Sequence, residues 1–171
     1  MRIGIGYDIH RFDGPAAGGA GTRRLKLGGI TIPSSRGLAG HSDGDVLLHA
    51  VADALLGAIG APDLGEQFPS TDARHRNADS RRFVTAAHAQ VRRHGWTVSN
   101  VDSTVIADAP RLTGYKAKMS RAISRLLGVQ PSQVSVKAKT TEAFSPGRDG
   151  IAAQAVVLLQ KSSRTRQTKD S

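Results

Sequence analysis

The chain has no cysteine. Disulfides and thiolate-held zinc are therefore excluded, and any transition metal must be bound by histidines and carboxylates. Aromatic residues are scarce, at 4% of the chain, although hydrophobic residues reach 39%. The core must accordingly be assembled from Ala, Val, Leu and Ile. No run approaches the roughly 20 apolar residues that a membrane-crossing helix requires. The N-terminus carries neither a signal-peptide apolar core nor an Arg/Ser-rich transit segment. A soluble cytoplasmic protein is the expectation. At 171 residues the economical arrangement is one domain over 1–160, with 161–171 as a basic, disordered tail.

Carboxylates are also in short supply, 14 Asp+Glu against 24 Lys+Arg, for a formal charge of +10. The tail accounts for +3 of this, from Lys161, Arg164, Arg166 and Lys169 against Asp170. Such a balance is compatible with nucleic acid, with a phosphorylated small substrate, or with solubility alone.

Strand and helix patterns interleave along the chain. Residues 2–7 alternate as a strand, 14–22 form a Gly/Ala loop, and 24–33 read as one or two short strands ending at Pro33. The Ala/Leu-rich stretch 43–60 reads as a helix capped by Ser42 or Asp43. Residues 62–72 form a turn-rich loop with two prolines. Helices are expected over about 79–94, ending at Gly95, and over 115–127, closed by Gly128. Strands are expected at 96–108, 133–140 and 151–160. The fold class is α/β, an α+β sandwich with a single sheet of about four to five strands and helices packed on one face.

Chemistry concentrates in three places. The first is GYDIH (6–10), where Asp8 and His10 are two residues apart and so share one face of a strand. The second is the 43–60 helix, in which Asp45, His49 and Asp53 recur every four residues on one side of an otherwise apolar helix. A buried histidine needs partners, because an unpaired buried polar group costs on the order of 1–3 kcal/mol. A core histidine satisfied by a neighbouring hydroxyl or carbonyl is the plain alternative. Asp8, His10 and His49 together make a His₂-carboxylate set, the catalytic pattern for zinc with one position left open. His41 is the rival third ligand. It precedes the helix start, where free N–H groups favour an anion, so His41 and Ser42 are read as phosphate contacts.

The third place is KAKTTEAFSPGRDG (137–150). Lys137, Lys139, Thr140, Thr141, Glu142 and Arg148 gather cations, hydroxyls and a carboxylate at a strand end, the mixture that phosphate recognition uses. The GIG of residues 4–6 is not a nucleotide fingerprint, since no third glycine follows and no helix opens there.

Taken in order, GYDIH (6–10), GHSDGDVLLHAVADALLGAIG (40–60), DLGEQFPSTD (63–72), ADS (78–80), NVDSTVIADAPRL (100–112) and KAKTTE (137–142) resemble the 2-C-methyl-D-erythritol 2,4-cyclodiphosphate synthase family of the non-mevalonate isoprenoid pathway. The resemblance runs from residue 1 to about 160. It implies an intramolecular phosphoryl transfer on 4-diphosphocytidyl-2-C-methyl-D-erythritol 2-phosphate, with release of CMP. It also implies a homotrimer with active sites between subunits, a zinc-type ion, and a second divalent ion, Mg²⁺ or Mn²⁺. On the matching positions, Asp8, His10 and His49 would hold the zinc. His41 and Ser42 would hold the diphosphate and stabilise the transition state. Asp63, Leu64 and Gly65 would touch the erythritol, with Phe68, Pro69, Ser70, Thr71 and Asp72 lining the same pocket. Ala107, Asp108, Ala109, Pro110, Arg111, Leu112 and Thr113 would hold the cytidine from the adjacent subunit. Thr140, Thr141 and Glu142 would meet the phosphates and the second metal, and Lys139 and Arg148 are counted with the substrate-binding residues. His41 and Thr140 are the catalytic candidates.

The sequence departs from the family's common form in three places. Lys139 stands where a Thr is usual, Asp108 where a Gln is usual, and the 143–150 stretch is about two residues short. Two other functions remain open at this point. A His₂-carboxylate zinc phosphohydrolase would need a general base beside the metal, with Asp45 or Asp53 as candidates. A basic nucleic-acid-binding module is motivated by the charge, but no aromatic-rich basic motif supports it.

Overall fold

Ten residues, Arg2–Arg11, form the first strand, β1. It is followed by two short strands, β2 (Leu25–Leu27) and β3 (Ile30–Ile32), paired as a separate antiparallel ribbon. The computed structural model describes residues 1–14, 23–142 and 149–162. Most of the expected Gly/Ala loop, Arg148 and nearly all of the expected tail lie outside the described residues.

Helix α1 spans Val46–Ile59 and ends on Gly60, which takes the left-handed conformation (φ 69°) that suits glycine. A one-turn helix α2 (Leu64–Gln67) follows, then α3 (Arg81–Arg93), β4 (Trp96–Ile106), α4 (Lys116–Leu127), β5 (Val134–Lys139) and β6 (Gly150–Lys161). The stretch 62–72 is thus not loop throughout. Asp63 accepts from the Glu66 N–H at 2.8 Å and caps α2, a turn too short for periodicity to register.

The main sheet has the order β1-β6-β4-β5. β6 is antiparallel to both β1 and β4, and β5 runs parallel to β4. Consequently β1, β4 and β5 all end at one edge of the sheet. β1 and β5 lie three strand spacings apart, roughly 14 Å at the usual ~4.8 Å per spacing. α1 packs on β1 and β6, α4 packs on β5, and α3 lies against both helices. All three cover the same face, which is the expected α+β sandwich. No helix among the described residues is long and apolar enough to cross a membrane.

The alternation in β1 has an unexpected sense. Ile3, Ile5, Tyr7 and Ile9 are 53–70% exposed, while Gly4 and Gly6 face α1. A Cβ on Gly4 would stand 1.9 Å from the Ala54 carbonyl oxygen, and one on Gly6 would stand 2.0 Å from that of Ala50. Backbone therefore meets backbone here, with Ala50, Ala54 and Ala58 supplying the small helical side. This approach sets the depth at which α1 lies over the strand. The next inward positions on β1 are Asp8 and His10, and the residue before Ala50 is His49.

Asp45 caps α1, in place of the expected Ser42 or Asp43. Its carboxylate accepts from the N–H groups of Leu48 (3.1 Å), Gly28 (2.8 Å) and Gly29 (2.7 Å). It ties the β2–β3 turn to the start of the helix. Burial pushes its pKa up, against the pull of the three N–H donors. Fully buried and so engaged, Asp45 is no candidate for a base beside a metal. The regular four-residue spacing to His49 misleads because a capping residue sits outside the helical turn it terminates.

Candidate metal centre and active site

At the end of β1, Asp8 places one carboxylate oxygen, Oδ2, between two imidazoles. It lies 3.0 Å from Nε2 of His10 and 2.8 Å from Nδ1 of His49. The three potential ligand atoms lie within 4.8 Å of one another, and no other such group of His, Cys, Asp or Glu occurs among the described residues.

Each imidazole is fixed from behind. His10 donates from Nδ1 to the Ala39 carbonyl at 2.5 Å, so Nε2 faces Asp8, as an N–H donor in the ion-free cluster and as a lone pair toward a bound ion. Nε2 of His49 lies 2.8 Å from Oγ of Ser80 and 3.1 Å from Oγ of Ser42. Ser80 in turn donates its hydroxyl to Asp43 at 2.5 Å. Its oxygen is then the acceptor for the His49 Nε2–H, and Nδ1 is the nitrogen turned toward Asp8. Metal-binding histidines are commonly oriented in this way, by a hydrogen bond to the ring nitrogen that does not bind the ion. Two imidazole lone pairs and a carboxylate on a pocket wall fit a tetrahedral divalent ion with one position open.

The electrostatics agree. Burial alone would raise the pKa of Asp8, but hydrogen bonds and charge from His10 and His49 hold it well below the usual carboxylate range. The hydrogen bond to Asp8 raises the pKa of His10, against the effect of burial. A carboxylate held ionised against two imidazoles offers a cation three donor atoms at one point.

This cluster opens into a pocket of about 430 Å³. His41, Ser42, Leu64, Gly65, Phe68 and Ser70, all named from the sequence, line it, and so do Asp53, His75 and Phe83. Ser42 is almost fully buried, and its oxygen accepts from the Gly44 N–H at 3.2 Å beside His49, whereas His41 is exposed. Asp53 reaches the pocket but accepts from the Leu64 N–H at 2.8 Å, anchoring α2 to α1. Burial raises its pKa. Asp63 and Asp72 are capping residues, and Asp72 also pairs with Arg74 at 2.6 Å. Pro69 and Thr71 lie on the same loop without lining the pocket.

The other predicted residues gather elsewhere. Ala107–Thr113 continue from β4, with a cis Ala109–Pro110 bond, and Lys139–Glu142 continue from β5. The Ala107 N–H donates to the Lys139 carbonyl at 2.9 Å. Asp108 accepts from Thr141 twice, from N–H at 2.8 Å and from the hydroxyl at 2.7 Å. Thr140 donates to Glu142. None of these residues lines the metal pocket of the same chain. Arg148 is outside the described residues.

Ser80 was not foreseen as part of the site. It falls inside the helix expected over about 79–94, whereas in the structure it precedes α3 and makes no side-chain capping bond, because its hydroxyl is engaged with His49 and Asp43. Phe83 and His75 were also missed. Nδ1 of His75 is buried with no hydrogen-bond partner among the described residues.

Comparison with known proteins matches residues 1–160 to the YgbB family. A protein of Geobacillus kaustophilus named 2-C-methyl-D-erythritol 2,4-cyclodiphosphate synthase is 52% identical over 164 residues, covering 95% of this chain and 99% of its own. The protein of the same name from Geobacillus thermodenitrificans is 50% identical, covering 95% of this chain and 98% of its own. A solved structure of such a synthase in its CDP-bound form superposes with a TM-score of 0.83 at 36% identity, covering 93% of this chain and 100% of the other. Sequence, fold and the paired histidines around Asp8 converge, and the chain belongs to the YgbB family.

Proposed function

We propose that this protein is a cytoplasmic enzyme of the non-mevalonate isoprenoid pathway, working as a homotrimer. Its reaction is the metal-dependent cyclisation of 4-diphosphocytidyl-2-C-methyl-D-erythritol 2-phosphate to 2-C-methyl-D-erythritol 2,4-cyclodiphosphate. The observation that carries the reading is the Asp8–His10–His49 cluster at the mouth of a pocket, in a chain about half identical to synthases of that name.

The reaction needs no side-chain nucleophile. An oxygen of the 2-phosphate attacks the β-phosphorus, a P–O–P bond closes the ring, and the bond to the α-phosphate breaks to release CMP. Asp8, His10 and His49 would hold a zinc-class ion, which supplies Lewis acidity toward the phosphate oxygens when bound. His41, which lines the pocket, would donate a hydrogen bond to the diphosphate. Ser42 and Ser80 keep the His49 ring oriented. His75 forms part of the wall against which the erythritol moiety would lie. Holding both ends of one substrate in this pocket would supply proximity, and water kept out of it would not compete for the β-phosphate.

The cytidine and second-ion residues, 107–113 and 139–142, would serve the pocket of a neighbouring subunit. The support is twofold: their distance across the sheet from the metal cluster, and the uncovered apolar face formed by Ile3, Ile5, Tyr7, Ile9 and Val156. An exposed patch of this kind commonly marks an interface. The hydrolase alternative would require a free general base, and Asp53, the carboxylate besides Asp8 on the pocket wall, is bound to Leu64.

The test is incubation of purified protein with the cytidylyl substrate and Mg²⁺, followed by product identification. CMP and the cyclic diphosphate in equal amounts are expected. Linear phosphates, or no CMP, would overturn the reading.

A further inference from the structure

The formal charge of +10 is not spread over the molecule. Of the 24 Lys+Arg, Arg81, Arg82, Arg92 and Arg93 lie on α3, and Lys116, Lys118, Arg121 and Arg125 lie on α4. Neither helix carries an Asp or a Glu. Four more cations follow residue 160, which leaves twelve for the remaining chain against thirteen of the 14 Asp+Glu. The positive excess therefore resides in the outer helices and the C-terminal segment.

On α4, Lys118, Arg121 and Arg125 stack at intervals of three and four residues, so like charges share one side of the helix. Like charges at this spacing repel and destabilise the helix they sit on. No carboxylate bonds or pairs with these three among the described residues. Arg81 reaches toward them from the start of α3, with its guanidinium donating to the Gly29 carbonyl at 2.6 Å. Asp79 lies 3.7 Å from it, at the outer margin of ion pairing. These four cations line a cleft of about 500 Å³ with a floor of Gly29, Ile30, Ala122 and Leu126.

We propose that this cleft is a binding site for a multiply charged phosphate anion, separate from the metal pocket. Guanidinium groups match phosphate oxygens by paired hydrogen bonds, and three of the four cations are arginines. An apolar floor beside them strengthens the attraction by excluding water. No aromatic residue lines the cleft, so the ligand is recognised by its phosphates and not by stacking of a base. The cleft is on the helical side of the sheet, away from the uncovered apolar face, and remains open in an assembly built through that face.

Tripolyphosphate is the probe. It is titrated calorimetrically into the full chain with CDP held at saturation, so that the metal pocket is occupied. One site per chain is expected, tighter for tripolyphosphate than for orthophosphate. The Arg121→Glu/Arg125→Glu variant should weaken it about tenfold or more while CDP affinity stays unchanged. Arg121→Gln/Arg125→Gln, which removes charge without reversing it, should show the same direction and guards against misfolding of the first variant. Equal affinity in these variants, or displacement of tripolyphosphate by CDP, would overturn the proposal. Tighter binding of a 20-nucleotide single strand through the same arginines would also overturn it, in favour of a nucleic-acid surface.

Discussion

On one face of β1, two glycines admit a helix backbone and two ligand-bearing side chains follow them in register; on the other, four large apolar side chains stand exposed. The inner face builds the site by omitting side chains, since only Gly4 and Gly6 let α1 settle deep enough to bring His49 against Asp8. The outer face keeps its side chains for a surface that the monomer does not cover. On the proposed function, one strand would serve the metal site and assembly at once, through alternate residues.

Substitutions on the two faces should separate these roles. The largest effect is expected from His49→Ala on the inner side. Losing a ligand should cost more than the 10–100-fold that loss of a supporting hydrogen bond costs, measured as zinc per chain and as CMP formed. On the outer face, Ile5→Asp should leave the fold of the isolated chain nearly untouched, within about 0.5 kcal/mol. The same change should abolish trimer formation in sedimentation velocity, and activity with it. Gly6→Ala reverses that pattern. It should lower stability by about 1–3 kcal/mol or more through overpacking against Ala50, read from urea melts, and loosen the metal site without touching the outer face. The smallest effect should come from Ser80→Ala, about 10–100-fold in metal affinity with stability little changed.

Much of the site can be read without a structure, for reasons that particular residues make plain. Asp8 and His10 share a face because strands have a period of two, and His49 stands out as a polar residue in a helix apolar on nearly every side. The strands, the main helices and the single covered face follow from patterning in the same way. Long-range contacts are different. Asp45 has the right spacing from His49, but its direction is set by Gly28 and Gly29, seventeen and sixteen residues away. Ser80 is one more residue at the start of an expected helix, and its role depends on Asp43 and His49 in other segments. The outward facing of Ile3 and Ile5 inverts the usual expectation that apolar alternation marks the buried side. It is intelligible only once Gly4 and Gly6 are seen against α1.

The separation of the metal cluster on β1 from the Lys139–Glu142 cluster on β5 has a genetic corollary. If each pocket draws the first from one subunit and the second from its neighbour, two chains that are each inactive can rescue one another. Co-assembled in equal amounts, His49→Ala and Thr140→Ala chains would form about one quarter of their pockets from intact halves. Such complementation, absent when the two substitutions are placed in one chain, would make activity a property of the mixture and not of either polypeptide.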